Sequence, residues 1–179
     1  MSNVLPEKAR ILFEVIRGRR SIRDFVDKEI PGNQLKLIVE AGLWAPSGSN
    51  LQPREYILVK DKHLLRAIKL VSPGLYGNPS ALLVLCYNKD IAKKGGRLGE
   101  TMALLDVALS AQNIMLMAYA LGIGSCPILS FNKTAVKEIL DIPEHIELVL
   151  MISLGYPKTW PKPPKRKNVE EVLHINGYK

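Results

Sequence analysis

The 179-residue sequence predicts one globular domain that mixes α-helices with β-strands. Three observations predict it. Segments with helical apolar spacing alternate with short β-branched runs. The composition, 47% hydrophobic and 23% charged, is that of a packed soluble chain. No internal repeat or linker divides residues 1–179.

Residues 7–17 read as a helix, with Ile11, Leu12, Val15 and Ile16 at helical spacing and Gly18 placed to end it. Pro31 opens a second helix that sets Leu35, Ile38, Val39 and Gly42 on one side. Residues 55–60 read as a strand, and Asp61 caps a helix running to about Val71. Two prolines and two glycines make residues 72–80 a loop. The unbroken apolar run 81–87 reads as a central strand, and residues 88–99 as a polar, glycine-rich stretch. Residues 100–121 form the longest helix, apolar nearly all round, which a chain this small covers only with a second copy. Gly122 and Gly124 stop that helix. Asn132 or Thr134 begins another that ends before Pro143, and 147–153 is a third strand. Four prolines keep 155–164 extended, and 169–175 is a strand or a short helix.

Several function classes recede on composition. Asp106, Gln112 and Asn113 interrupt the apolar stretch 103–121, so it reads as a buried helix rather than a membrane span. No signal peptide is read at the start. Cys86 and Cys126 each sit in an apolar run and read as core thiols of a reducing, cytoplasmic protein. Two cysteines and three scattered histidines give no metal-ligand spacing. No Ser-His-Asp set and no pair of carboxylates stands out, so the chain either only binds or lets a cofactor carry the chemistry.

The net charge of +8 favours anionic partners. Arg19, Arg20, Ser21 and Arg23 place three guanidiniums and a hydroxyl within five residues, which suits a phosphate; the bland reading is a solvated basic turn. The loop Ala45-Pro46-Ser47-Gly48-Ser49-Asn50-Leu51-Gln52-Pro53 is longer than a plain connector and rich in groups that both donate and accept. Gly122 to Pro127 follows a helix and lacks a third glycine, so it is not a dinucleotide fingerprint and reads as a helix end and turn. Lys165, Arg166 and Lys167 lie in a proline-rich basic tail, either a solvated face or a second clamp on an anion.

The order of these motifs says more than any one of them. Arg-Arg-Ser-x-Arg is followed by Ala-Pro-Ser-x-x-Asn-x-Gln-Pro, then Asp106 with Ala111-Gln112-Asn113 and Leu121-Gly122-x-Gly124-Ser125. Leu154-Gly155-Tyr156-Pro157 and a basic tail with Val169-Glu170-Glu171-Val172 complete the series. From about Leu12 to the C-terminus the chain resembles the FMN-dependent nitroreductase family. The resemblance implies an α+β sandwich with a central, mostly antiparallel sheet flanked by helices, in an intertwined homodimer with FMN at the subunit interface. It implies that residues 158–179 form an extension packing on the partner subunit. Arg19, Arg20, Ser21 and Arg23 would hold the FMN phosphate, ribityl chain and one ring edge. Pro46, Ser47, Ser49, Asn50 and Gln52 would come from the other subunit. Pro127, Ile128, Leu129 and Ser130 would bring the backbone N–H groups of Leu129 and Ser130 to the flavin's N5 and O4. Arg166, with Lys165 or Lys167, would complete the phosphate site.

The implied activity is a ping-pong oxidoreductase: NAD(P)H reduces the flavin, and an electron-poor nitroaromatic or quinone then enters the same pocket. Arg23 is the expected electrostatic stabiliser, and no side chain is assigned a catalytic role. The resemblance gives no metal, no nucleic-acid partner and no membrane. Three departures stand out. Arg54 replaces the aromatic residue that family members often carry after Gln-Pro. Residues 88–99 are shorter than the lids of larger relatives, and Leu129 is acidic in some of them. Two alternatives compete: a member with dehalogenating or flavin-fragmenting chemistry, and a basic nucleic-acid-binding module. Aromatics at 6% and the lack of stacking residues among the basic clusters weigh against the latter.

Overall fold

A computed structural model describes residues 6–178. In chain order the elements are α1 (Glu7–Gly18), α2 (Gly32–Leu43), β1 (Arg54–Val59), α3 (Lys62–Leu70), β2 (Ala81–Asn88), α4 (Lys89–Ala92), α5 (Gly99–Ala120), β3 (Gly124–Ile128), α6 (Lys133–Ile139) and β4 (Ile146–Gly155). The four strands form one antiparallel sheet in the order β1-β2-β4-β3.

The unbroken apolar run of β2 has a direct cause: both faces of this strand are covered. Alternate side chains of a strand point to opposite faces. Leu83, Leu85 and Tyr87 join Leu35 and Ile38 of α2 and Val107, Ala111 and Ile114 of α5 in one core. Leu82, Val84 and Cys86 join Ile68 of α3 and Val136 of α6 in the other. Helices thus flank an antiparallel sheet on both sides, the α+β sandwich that the resemblance implies. Both cysteines are buried, and burial pushes the Cys86 thiol up to about 12.

Caps fall where the sequence places them. The Asp61 carboxylate accepts from the N–H groups of His63 and Leu64 at 2.9 Å each and starts α3. Asn132 accepts from Ala135 N–H at 3.1 Å and starts α6. Two stretches differ from expectation. Residues 88–99 are not an irregular polar stretch: Asn88 caps the short α4, and a 3-10 segment, Lys93–Leu98, leads straight into α5. Gly122, at φ +72°, does end α5, but Gly124 opens β3 rather than completing a turn. Near the C-terminus, Val169–Glu171 is a single 3-10 turn.

Candidate functional site

The basic motif follows α1 and is laid along the sheet. Ile22 N–H donates to Ser125 O of β3 at 2.9 Å, and Val26 N–H to Tyr156 O at 2.9 Å. Between those ties, Ile22 and Phe25 turn inward, 1% and 4% exposed. Two glycines make room for them. Gly124 and Gly155 face each other as register partners of β3 and β4. A Cβ on Gly124 would meet Ile22 Cγ1 at 2.6 Å, and one on Gly155 would meet Phe25 Cδ1 at 2.7 Å. The pairing of Ser21 with Ser125 therefore brings the basic motif beside the strand that ends in Pro127 and Ile128.

The charges of this motif are crowded and incompletely satisfied. The Nε atoms of Arg19 and Arg20 are buried without a hydrogen-bond partner. Arg20 Nη1 donates to the carbonyls of Gly18 at 3.1 Å and Arg19 at 2.8 Å, and also to Arg17 O, so it caps the end of α1. Burial, then the nearby cations Arg166 and Arg20, lower the Arg19 pKa from its ordinary value. The basic tail thus returns to the basic motif, as Arg166 comes close enough to repel Arg19. Among the described residues none of Arg19, Arg20 and Arg166 has an acidic partner. A half-buried group of like charges without a counter-ion is costly, and an anion would relieve it. Arg23 is exposed and lies over the Tyr76 ring, 5.8 Å from its centroid. Lys165 is exposed.

The polar loop is held in a different way. Arg54 is only 7% exposed, and its guanidinium donates to Ala45 O at 2.8 Å, Pro46 O at 3.0 Å and Leu43 O at 3.4 Å. Asp106, buried in α5, accepts from Gly48 N–H at 3.1 Å. Two turns further along the same helix, Asn113 Nδ2 donates to Ala41 O at 3.2 Å. Within the loop, Ser47 Oγ accepts from Gln52 N–H at 3.1 Å. Ser49, Asn50 and Gln52 all sit at positive φ, 50°, 54° and 52°. Three non-glycine residues in this region within four positions are an unusual concentration of backbone strain, of the kind that clusters at functional sites.

After β3, Ile128 is buried while Pro127, Leu129 and Ser130 are exposed. Ser130 O accepts from Gly74 N–H at 2.9 Å, which fixes the turn after the strand. The structure therefore brings residues 19–23 and 127–130 together at the β3 edge of the sheet, with Arg166 near Arg19. Among the described residues, no hydrogen bond joins the 46–52 loop to that group. Sequence reasoning flagged Arg54 only as a departure; its role as the post of the loop emerges from its burial. Gly124 was visible as a glycine, but the need for it lies in Ile22, a hundred residues earlier in the chain.

The chain is similar to a well-defined group of known proteins. The family model described as "Nitroreductase family" matches residues 16–72 and 69–156. A protein of Archaeoglobus fulgidus is 34% identical over 153 residues, covering 81% of this chain and 84% of its own length. The NADH dehydrogenase of Thermus thermophilus is 30% identical over 186 residues, covering 87% of this chain and 91% of its own. Among solved structures, the NADPH:FMN oxidoreductase of Vibrio harveyi, complexed with NAD+, superposes with a TM-score of 0.84 at 26% identity, covering 94% of this chain and 78% of its own.

Proposed function

The chain belongs to the nitroreductase family and is an NAD(P)H-dependent oxidoreductase that uses FMN; from that premise we propose that it works as a cytoplasmic homodimer and reduces an electron-poor acceptor such as a nitroaromatic or quinone. The observation that carries the reading is the pair of buried, unpartnered Nε atoms on Arg19 and Arg20 beside Arg166. Their geometry fits an anion with several acceptor oxygens, which is what the phosphate of FMN offers.

In this reading Arg19 and Arg166, with Lys165, hold the phosphate, while Arg20 and Ser21 line the approach to it. Arg23 sets a fixed positive charge at the ring edge where negative charge collects on reduction. The exposed end of β3, residues 127–130, offers the backbone N–H groups of Leu129 and Ser130 to the polar edge of the ring. FMN held by these residues would supply the redox chemistry, hydride transfer from NAD(P)H and onward reduction of an acceptor in ping-pong order.

The second subunit completes the site. Pro46, Ser47, Ser49, Asn50 and Gln52 make no hydrogen bond to the arginine group of their own chain, so they are assigned to the partner's flavin. Leu104, Leu105 and Leu109 on the outer side of α5 are 46%, 60% and 48% exposed, and Ile11, Leu12 and Ile16 of α1 are similarly bare. Exposed apolar residues gathered on two helices in this way mark an interface. Residues 158–178 are exposed and carry Val172, Leu173 and Ile175 at 56%, 59% and 73% exposure; 158–179 is the segment proposed to pack on the partner.

The test is an FMN titration followed by flavin absorbance after desalting. Arg19→Ala is expected to weaken FMN binding at least about tenfold, the equivalent of about 1.4 kcal/mol, without loss of the fold. Unchanged affinity would remove Arg19 from the site. Sedimentation at micromolar concentration tests the dimer, and a clean monomer would refute it.

A further inference from the structure

A cavity of about 460 Å³ opens between residues 25–30, α3 and the 75–80 loop, and none of its lining residues belongs to the proposed flavin set. That volume lies within the range of small-molecule sites, roughly 300–1,000 Å³. Its floor is apolar: Phe25, Ile30, Leu35 and Leu75 are each at most 4% exposed. Its rim is basic. Lys28, Lys60, Lys62, Arg66, Lys69 and Lys158 outnumber the two acids, Asp27 and Glu29.

The acids do not neutralise that rim. Lys62 reaches Asp27 only at 4.0 Å, and Lys158 pairs with Asp24 at 3.0 Å. Lys69 Nζ donates to two neutral acceptors, Gly77 O at 2.5 Å and Asn78 Oδ1 at 3.0 Å. Lys28 lies 4.3 Å from the centroid of the Tyr156 ring. Among the described residues Lys60 and Arg66 have no hydrogen-bond or ion-pair partner. Lys60 directly follows β1, and Arg66 lies at the middle of α3, so both are carried by regular elements. Two free cations over an apolar floor define the ligand. A cation would be repelled, and a neutral apolar molecule would match the floor but leave the rim uncompensated.

We propose that this cavity binds a small organic anion, with an apolar body on the Phe25–Leu75 floor and a carboxylate or phosphate at Lys60 and Arg66. The fork of Arg66 suits either head group. The site is separate from the flavin reading and does not depend on it.

The experiment is calorimetric titration of the FMN-loaded protein with 1-naphthyl phosphate, 1-naphthoate and uncharged 1-naphthol at neutral pH, with flavin absorbance followed in parallel. One saturable site for at least one anion is expected, with 1-naphthol at least tenfold weaker and the flavin spectrum unmoved. A higher affinity for one of the two anions identifies the head group. In Lys60→Ala/Arg66→Ala the anion should bind at least tenfold more weakly, while flavin content and NAD(P)H oxidation stay unchanged. Leu75→Trp, which fills the floor, should weaken both anions and 1-naphthol. Three results would overturn the proposal: no saturable binding at millimolar probe, equal binding to the double variant, or a probe that shifts the flavin spectrum and competes with the electron acceptor.

Discussion

The two halves of the candidate site are anchored by opposite means. Residues 19–23 are held by uncharged contacts: backbone hydrogen bonds to Ser125, a buried Ile22, and glycines that let the chain lie close to the sheet. The 46–52 loop is held by charge, with buried Arg54 on its carbonyls and buried Asp106 on Gly48 N–H. The first arrangement uses part of Arg20 to cap α1 but leaves the Nε atoms of Arg19 and Arg20 without a partner, to face an anion. The second uses up its ionic groups in support, and presents neutral donors and acceptors instead. One half is built to neutralise charge and the other to read shape and hydrogen-bonding pattern.

The largest effect is expected where packing is tightest. Gly124→Val places a branched side chain against Ile22 Cβ, Cγ1 and Cγ2, all within 3.0 Å of the first added carbon. Ile22 is itself branched and buried, so it has no easy retreat. Overpacking should cost about 3 kcal/mol and displace residues 19–23 together. Urea unfolding should show the loss, and FMN should no longer survive desalting. A folded Gly124→Val protein with normal flavin content would mean that the motif's path along β3 does not matter to binding.

Next comes the charged anchor. Arg54→Ala leaves the carbonyls of Ala45, Pro46 and Leu43 without this donor, at a cost of about 2 kcal/mol. Arg54→Lys keeps the charge but not the planar fork, so it should recover only part of that. The contrast with Gly124→Val is in the flavin. Arginine loss should loosen the loop while leaving the phosphate group of residues intact, so the acceptor KM should rise more than the FMN dissociation constant. Equal changes in both would show that the two anchors are one unit. Ser47→Ala acts on the same loop more gently. It removes one hydrogen bond, from Gln52 N–H, worth about 1 kcal/mol.

What the sequence made legible follows this division. Periodicity found α2, which buries Leu35 and Ile38 on one side, while α5 was legible as an apolar run too long for a strand. Asp61 and Asn132 announced their helices because a cap is a local interaction. The strand β3 was not legible, since Gly124-Ser125-Cys126-Pro127-Ile128 carries a glycine and a proline, and its pairing with β4 is decided thirty residues away. The basic motif could be read as an anion site, but not the half-burial of Arg19 or the return of Arg166 to it. Arg54 was visible as an odd residue after Gln-Pro. Its function depends on a bend that folds β1 back under the end of α2, and no local pattern encodes that.

The smallest effect is the most telling, because its sign differs from the rest. Ser49 holds φ at 50° with ψ at 22° inside the loop, a conformation that a glycine adopts without steric cost. Ser49→Gly removes that strain, which for a non-glycine residue is of the order of 1 kcal/mol. Glycine also gains freedom in the unfolded chain, which offsets much of the relief. The folded protein should therefore be unchanged or slightly more stable, by about 0.5 kcal/mol at most. The loop itself would lose preorganisation, so acceptor affinity should fall even as the melting temperature holds or rises. No substitution in residues 19–23 should behave this way, because none of those residues lies at positive φ. If Ser49→Gly instead lowers stability and leaves acceptor affinity alone, the strained backbone serves the fold of the loop and not its recognition, and the division between a charge-neutralising half and a shape-reading half fails at the loop.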